Sequence, residues 1–165
     1  MSLVDFDGGK FDALAISESE PEFDETLRLL VAEDHLINQK VVAMILEPYG
    51  IDITFANNGL EALQHFDTAK FDAILMDMQM PEMDGLTAIR AIRAREITQG
   101  LTRTPIAVLS ANAMAEHIAA SLEAGSDTHI AKPLTPASLS SGIEKLLALA
   151  GLAHAEAHHD QAATG

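Results

Sequence analysis

The stretch Phe71 to Gly85, FDAILMDMQMPEMDG, constrains this chain more than any other. An apolar run, Ala73 to Met76, stops abruptly at an acid, Asp77; Pro81 and the turn pair Asp84-Gly85 then lead into a helical pattern. Such a run, bounded by turn signals, reads as a buried strand. In parallel α/β sheets ligands bind in the crevice outside the carboxyl ends of the strands. A strand that delivers a carboxylate to that end raises one question, namely what the other strands deliver beside it.

The rest of the chain answers with the same pattern. LRLLVA, Leu27 to Ala32, ends in Glu33 and Asp34. Leu36 to Leu46, LINQKVVAMIL, has helical spacing, with Pro48 and Gly50 as stop signals. Ile51 to Ala56 is a β-rich run, Asn57-Asn58-Gly59 a turn, and Leu60 to Phe66 a short amphipathic helix. After the opening segment, Leu86 to Arg95 reads as a helix with Leu86, Ile89 and Ile92 on one face and Arg90, Arg93 and Arg95 elsewhere; Glu96 to Thr104 reads as a polar connection. Ile106 to Leu109 is a strand whose first polar successor is Ser110, and Ala113 to Ala124 an alanine-rich helix closed by Gly125. His129 to Pro133 gives a short strand ending in Lys132, and Pro136 to Ala150 a last helix. Alternating strands and helices predict an α/β fold with a parallel sheet and helices on both faces. Five such units with a short first crossover suit a flavodoxin-like, doubly wound five-stranded sheet of order 2-1-3-4-5, with its switch point between the first and third strands.

Length and charge bound the organisation. A chain of 165 residues supports one domain with a sizeable core. Residues 1 to 26 hold eight acids against Lys10 and read as an acidic linker or arm; 27 to 150 form the domain; 151 to 165 read as a flexible tail, its His154, His158 and His159 included. Cysteine is absent, which excludes thiolate chemistry and disulfides. More than half of the net charge of -15 sits in the terminal segments, and no basic face offers an electrostatic footprint for nucleic acid or anionic lipid. With neither a membrane span nor a signal peptide in the pattern, a cytoplasmic location is expected.

Four strands therefore end in Glu33-Asp34, Asp77, Ser110 and Lys132. Three carboxylates around one crevice repel unless protonated or neutralised by a cation. Magnesium suits them, because it prefers oxygen ligands and uses one or two carboxylates together with phosphate oxygens. A carboxylate beside such a metal can act as a nucleophile toward phosphorus, which gives Asp77 the aspartyl-phosphate role. Lys132 and Ser110 would contact the phosphoryl oxygens. No residue of this set is an obvious base for water, so the covalent product should persist, as a signal requires.

From Leu27 to Ala150 the chain resembles the receiver domain of two-component response regulators, in the acid pair, DMQMPEMDG, the LSA step and the Lys132-Pro133 dipeptide, all in order. The resemblance implies Asp77 as phosphoacceptor, Asp34 and Asp77 as direct Mg2+ ligands, Gln79 as a ligand through its backbone carbonyl, and Glu33 as a ligand through water. It also implies a cis Lys132-Pro133 bond and a conformational switch at Ser110 and His129. Both switch positions depart from the commonest pattern: serine stands where threonine is frequent, and histidine where tyrosine or phenylalanine is usual. Implied partners are a histidine kinase dimerisation domain or a histidine phosphotransfer protein, docking on a second apolar row of the first helix, Ile37, Val41 and Met44. The segment before Leu27 looks like the end of a kinase domain, which points to the C-terminal receiver of a hybrid histidine kinase.

Two other classes compete. A metal-dependent phosphatase of haloacid-dehalogenase type needs a second aspartate two residues after the nucleophile, and Gln79 stands there instead. A flavodoxin-like cofactor binder needs backbone donors and hydroxyls after the first strand, where Glu33 and Asp34 put negative charge.

Overall fold

The structure, a computed structural model, describes residues 26–111 and 114–164, with side chains through Gly151. The acidic arm up to residue 25, the expected helix start at Ala113 and the side chains of the three tail histidines lie outside the described residues. In chain order the elements are β1 (Arg28–Ala32), α1 (Leu36–Leu46), β2 (Asp52–Ala56), α2 (Gly59–Thr68) and β3 (Ala73–Asp77). There follow α3 (Gly85–Gln99), β4 (Ile106–Ser110), α4 (Ala115–Ala124), β5 (Thr128–Ala131) and α5 (Pro136–Thr164). All strand pairs are parallel, and the order β2-β1-β3-β4-β5 is the expected 2-1-3-4-5.

Side-chain alternation divides the core into two layers. Leu30, Ile74, Met76, Ile106 and Val108 join Leu63 of α2, Ile89 and Ile92 of α3 and Ala124 of α4 on one face. Leu29, Val31, Leu75 and Leu109 pack with Val42 and Leu46 of α1 and with Leu139, Ile143 and Leu146 of α5 on the other. Because both faces are covered, β1, β3 and β4 read in sequence as unbroken apolar runs.

Two helices overrun their expected ends. α3 continues to Gln99 and is capped by Gly100 at φ 66°. Glu96, expected in a polar connection, is buried within it. Arg93, expected away from the apolar face, runs inward: its Nη1 meets Glu96 Oε1 at 2.8 Å and Thr104 O at 2.8 Å, its Nε meets Gly125 O at 2.9 Å, and its Nη2 meets Asp127 Oδ2 at 2.9 Å. Glu96 Oε2 in turn accepts from Thr104 N, and Asp127 Oδ2 from Ile106 N at the start of β4. The last helix passes Ala150, where a flexible tail was expected, and runs to Thr164. Gly151 is its only poor helix former across that junction, and one interior glycine costs only about 1 kcal/mol. Among the described residues no helix is long and apolar enough to cross a membrane.

Candidate functional site

Register brings the four strand ends to one edge. Ala32 of β1 lies opposite Met76 of β3, so Glu33 follows beside Asp77. Asp77 lies opposite Leu109, and Ser110 opposite Ala131, the residue before Lys132. Three backbone bonds extend the ladder past these ends: Glu33 N to Ala56 O, Met78 N to Leu109 O and Lys132 N to Ser110 O, at 2.9, 3.1 and 2.8 Å. The expected cis Lys132-Pro133 bond is present.

The side chains then converge. Lys132 Nζ stands 3.0 Å from Glu33 Oε1 and 3.2 Å from Asp77 Oδ2. The Glu33 side chain has no solvent-accessible surface and that of Asp77 only 7%. Burial first, then the charge of Glu33, pushes the Asp77 carboxyl above its ordinary value of 3.8, against the pull of Lys132 and of Gln79 N–H, 3.4 Å from Oδ1. Burial also acts to raise Glu33. There the His35 backbone N–H, Lys132 and Asn38 together outweigh it, and the net shift is downward. Burial lowers Lys132, but hydrogen bonding and attraction to Glu33 and Asp77 reverse this and hold its proton more tightly than usual.

Ser110, Gln79 and Asn38 line the same cavity, of about 480 Å3, together with Ile37, His117 and Lys132. Asp34 precedes His35, which also lines the cavity and whose Nδ1 is 3.2 Å from Asp34 Oδ1. A larger groove, about 560 Å3, opens at the opposite end of the sheet around Phe71, Thr104 and Pro105. The buried charges at that end, Arg93, Glu96 and Asp127, are paired with one another and with backbone groups, and none of the three lines the groove, so the smaller cavity is the candidate site.

Its donor set fits a hard divalent cation. Glu33 Oε1 and Asp34 Oδ1 are cut off from solvent, yet neither accepts an aligned hydrogen bond. The Lys132 ammonium near Glu33 Oε1 makes an ion pair without that alignment. Two carboxylates, Glu33 and Asp77, share one lysine, and Asp34 adjoins them in sequence, an excess of negative charge that a bound cation would offset.

Sequence reasoning missed the groups that hold the acid pair. Gln39, buried in the first turns of α1, donates from Nε2 to Glu33 O at 2.7 Å and to Asn57 Oδ1 at 2.9 Å. Asn57 N in turn donates to Glu61 Oε1 at 2.8 Å. His35 and His117 were also passed over; an imidazole two residues before an apolar row gives no periodic signal. Of the apolar row itself, Ile37 and Met44 are 75% and 66% exposed and Val41 is half-buried. His129, half-buried in β5, lies opposite Val108 on the sheet.

The turn after β3 depends on Gly85. Asp84 caps α3 by accepting from Thr87 N at 2.8 Å, and Gly85 N donates to Met78 O at 3.0 Å. A Cβ on Gly85 would overlap the Asp77 carbonyl. Gly85→Ala is therefore expected to displace the end of β3 and to cost about 1–3 kcal/mol in urea unfolding. Unchanged stability would show that the turn yields without moving Asp77.

Comparison with known proteins agrees with this arrangement. The family model described as response regulator receiver domain matches residues 29–144. The sensor histidine kinase GacS of Pseudomonas protegens is 37% identical over 139 residues, 81% of this chain and 15% of that protein. The peroxide stress-activated histidine kinase mak1 of Schizosaccharomyces pombe is 37% identical over 122 residues, 72% of this chain and 7% of that one. The chain thus spans a small part, 3% to 16%, of such curated relatives. Among solved structures, the receiver domain of sensor histidine kinase PA1611 from Pseudomonas aeruginosa, with magnesium coordinated in its active-site cleft, superposes with TM-score 0.67 at 33% identity, over 74% of this chain and 98% of that one. The receiver domain of Ssk1, solved with the histidine phosphotransfer protein Ypd1 of Saccharomyces cerevisiae, gives 0.70 at 26% identity, over 73% and 88%.

Proposed function

Since the chain belongs to the response regulator receiver domain family, we propose that it takes a phosphoryl group from a phosphohistidine onto Asp77 and relays it within a two-component pathway. The observation that carries this assignment is the meeting of Asp77 and Glu33 on one ammonium, Lys132, at the carboxyl edge of the sheet. Asp34 and Asp77 would hold Mg2+ directly, Gln79 through its backbone carbonyl and Glu33 through water. When bound, Mg2+ supplies positive charge to the phosphoryl oxygens.

The chain's own residues do the rest. An ionised Asp77 oxygen attacks phosphorus; the P–O bond forms as the P–N bond to the donor imidazole breaks, and that imidazole, already protonated on its other nitrogen, leaves as the neutral ring. Lys132, kept protonated by its two carboxylates, turns from Asp77 toward the phosphoryl oxygens, and Ser110 meets another. Ser110 and His129 then couple the product to a shift of the α4–β5 face. Incubation with acetyl phosphate and Mg2+ tests the assignment: intact mass should show one phosphoryl group, and no uptake under any Mg2+ concentration would overturn it.

Protonation should gate the metal. Because Asp77 holds its proton to a higher pH than an ordinary aspartate, protons compete with Mg2+ to a higher pH as well. Calorimetric Mg2+ affinity is therefore expected to keep rising as pH climbs past 3.8, the ordinary value, whereas Glu33, shifted downward, loses its proton at lower pH than an ordinary glutamate. A flat affinity through that window would contradict the electrostatics.

The donor would be a histidine kinase dimerisation domain or a histidine phosphotransfer protein, seated on the exposed row of α1. Met44 lies outside the cavity lining. Met44→Glu is expected to slow transfer from such a partner by roughly tenfold, the effect of about 1.4 kcal/mol, while labelling by acetyl phosphate stays normal. Equal slowing in both assays would remove α1 from the interface. The organisation of residues 1–26 as an arm, 27–150 as the receiver and 151–165 as a terminal segment, within a hybrid histidine kinase, is part of the same reading, as is a cytoplasmic location.

A further inference from the structure

The larger groove, at the base of the sheet, takes no part in the chemistry at the opposite edge. Its volume of about 560 Å3 falls within the roughly 300–1,000 Å3 of pockets that hold a bound group. Phe66, Phe71, Leu101 and Pro105 give it an apolar wall, and Lys70 and Arg103 stand beside them. Phe66 and Phe71 are only half-buried, and Leu101 is 42% exposed. Apolar surface left open in this way favours an occupant that removes it from water.

The charge left over at this end is positive. Of the two acids in the lining, Asp67 pairs with Arg95 at 2.8 Å, and Asp72 Oδ2 accepts from Arg28 N at 2.8 Å. Lys70 is exposed and makes no ion pair among the described residues. Arg103 keeps 57% of its side chain exposed even while bonded to Asp127. An aromatic side chain flanked by carboxylates would match both the wall and the charge.

The chain carries such a segment beside the groove. β1 starts at this end of the sheet, where Arg28 Cζ lies 5.5 Å from the centre of the Phe71 ring and Asp72 N donates to Arg28 O at 2.8 Å. The described chain begins at Thr26, and residues 1–25 before it end in Pro21-Glu22-Phe23-Asp24-Glu25. Phe23 stands five positions before Arg28, a reach of up to about 17 Å in extended backbone. So short a tether gives an effective concentration on the order of millimolar. A second copy of the chain has no such advantage, and its net charge of -15 opposes association.

We propose that Glu22 to Glu25 dock in the basal groove, with Phe23 against Phe66, Phe71 and Leu101 and the flanking acids on Lys70 and Arg103. The docking concerns the end of the sheet away from Asp77 and stands apart from the phosphoryl-transfer reading. It leaves the phosphoryl edge open and brings the preceding segment of chain to the domain from the base, so a donor and the arm occupy opposite ends.

The test is amide NMR of the 15N-labelled full chain. In wild type the amides at positions 23 and 24 should have order parameters above about 0.6, below which a backbone counts as flexible. Phe23→Ser, which leaves both core layers intact, should bring them under that value and move the Leu101, Thr102 and Thr104 amides, with Asp77 and Lys132 unmoved. Lys70→Glu, at an exposed position, should move the amides of Phe23, Asp24 and Glu25. Wild-type order parameters under 0.6, groove amides indifferent to Phe23→Ser, or arm amides indifferent to Lys70→Glu each overturn the proposal. Groove shifts that change with protein concentration overturn it as well, because the occupant is then a second copy.

Discussion

Asp77→Asn is expected to fold normally and to take up no phosphoryl group from acetyl phosphate and Mg2+. The amide oxygen carries no charge to attack phosphorus and is a poorer ligand for Mg2+, so both the nucleophile and one ligand go at once. Stability should move the other way. An acid whose folded pKa is raised contributes stability below its unfolded pKa and loses that contribution as pH rises through the folded value. At neutral pH ionised Asp77 thus weighs against the metal-free fold, although Lys132 offsets part of the cost. Urea unfolding at pH 7 without Mg2+ should place Asp77→Asn level with wild type or up to about 1 kcal/mol above it. A phosphoryl group still found on Asp77→Asn by intact mass would move the acceptor to another residue. A loss of several kcal/mol would mean that Lys132 depends on Asp77 more than on Glu33.

Arg93→Met should be the most destabilising of these substitutions. Arg93 and Glu96 have side chains only 11% and 6% exposed, and Arg93 donates to two backbone carbonyls and two carboxylates. Methionine keeps the stem but leaves Glu96 a buried charge without its counterion, which costs about 3–5 kcal/mol. Asp127 is less affected, since Arg103 Nη2 remains 2.8 Å from its Oδ1. Arg95→Met serves as the control. Arg95 pairs with Asp67 at 2.8 Å, but both side chains are about one-third exposed or more, and such pairs contribute about 0.2–1 kcal/mol. Equal costs in urea unfolding would refute the buried clamp. Phosphoryl uptake per folded molecule should be the same in both variants and in wild type.

The difference between these two arginines shows where the sequence stops speaking. Sheet order, the two-layer core and the edge carrying Glu33, Asp77, Ser110 and Lys132 follow from apolar runs that end in polar residues, a pattern visible without coordinates. Arg93 carries no such mark. Its burial depends on Gly125 and Thr104, far along the chain, presenting carbonyls to it, and only the packing of α3 beside α4 decides that. Gln39 was invisible for the same reason, because a polar residue inside an apolar helix reads as surface until its partners Glu33 O and Asn57 are known. The passage of α5 beyond Ala150 was missed because a glycine after a good helix looks like a stop, whereas the alanines around Gly151 carry the backbone through it.

The length of β4 has a consequence for how variants combine. Its five residues, Ile106 to Ser110, place the arginine clamp at one end and the phosphoryl site at the other, roughly 13 Å apart along an extended backbone. That spacing exceeds the roughly 7–10 Å beyond which substitutions without shared partners usually add. Charge changes at the two ends should therefore be energetically independent, and the free-energy effects of Arg93→Met and Asp77→Asn should sum in the double variant to within about 0.5 kcal/mol. In such a layout, mutations can accumulate at the base and be rescued there without retuning the chemistry at the rim.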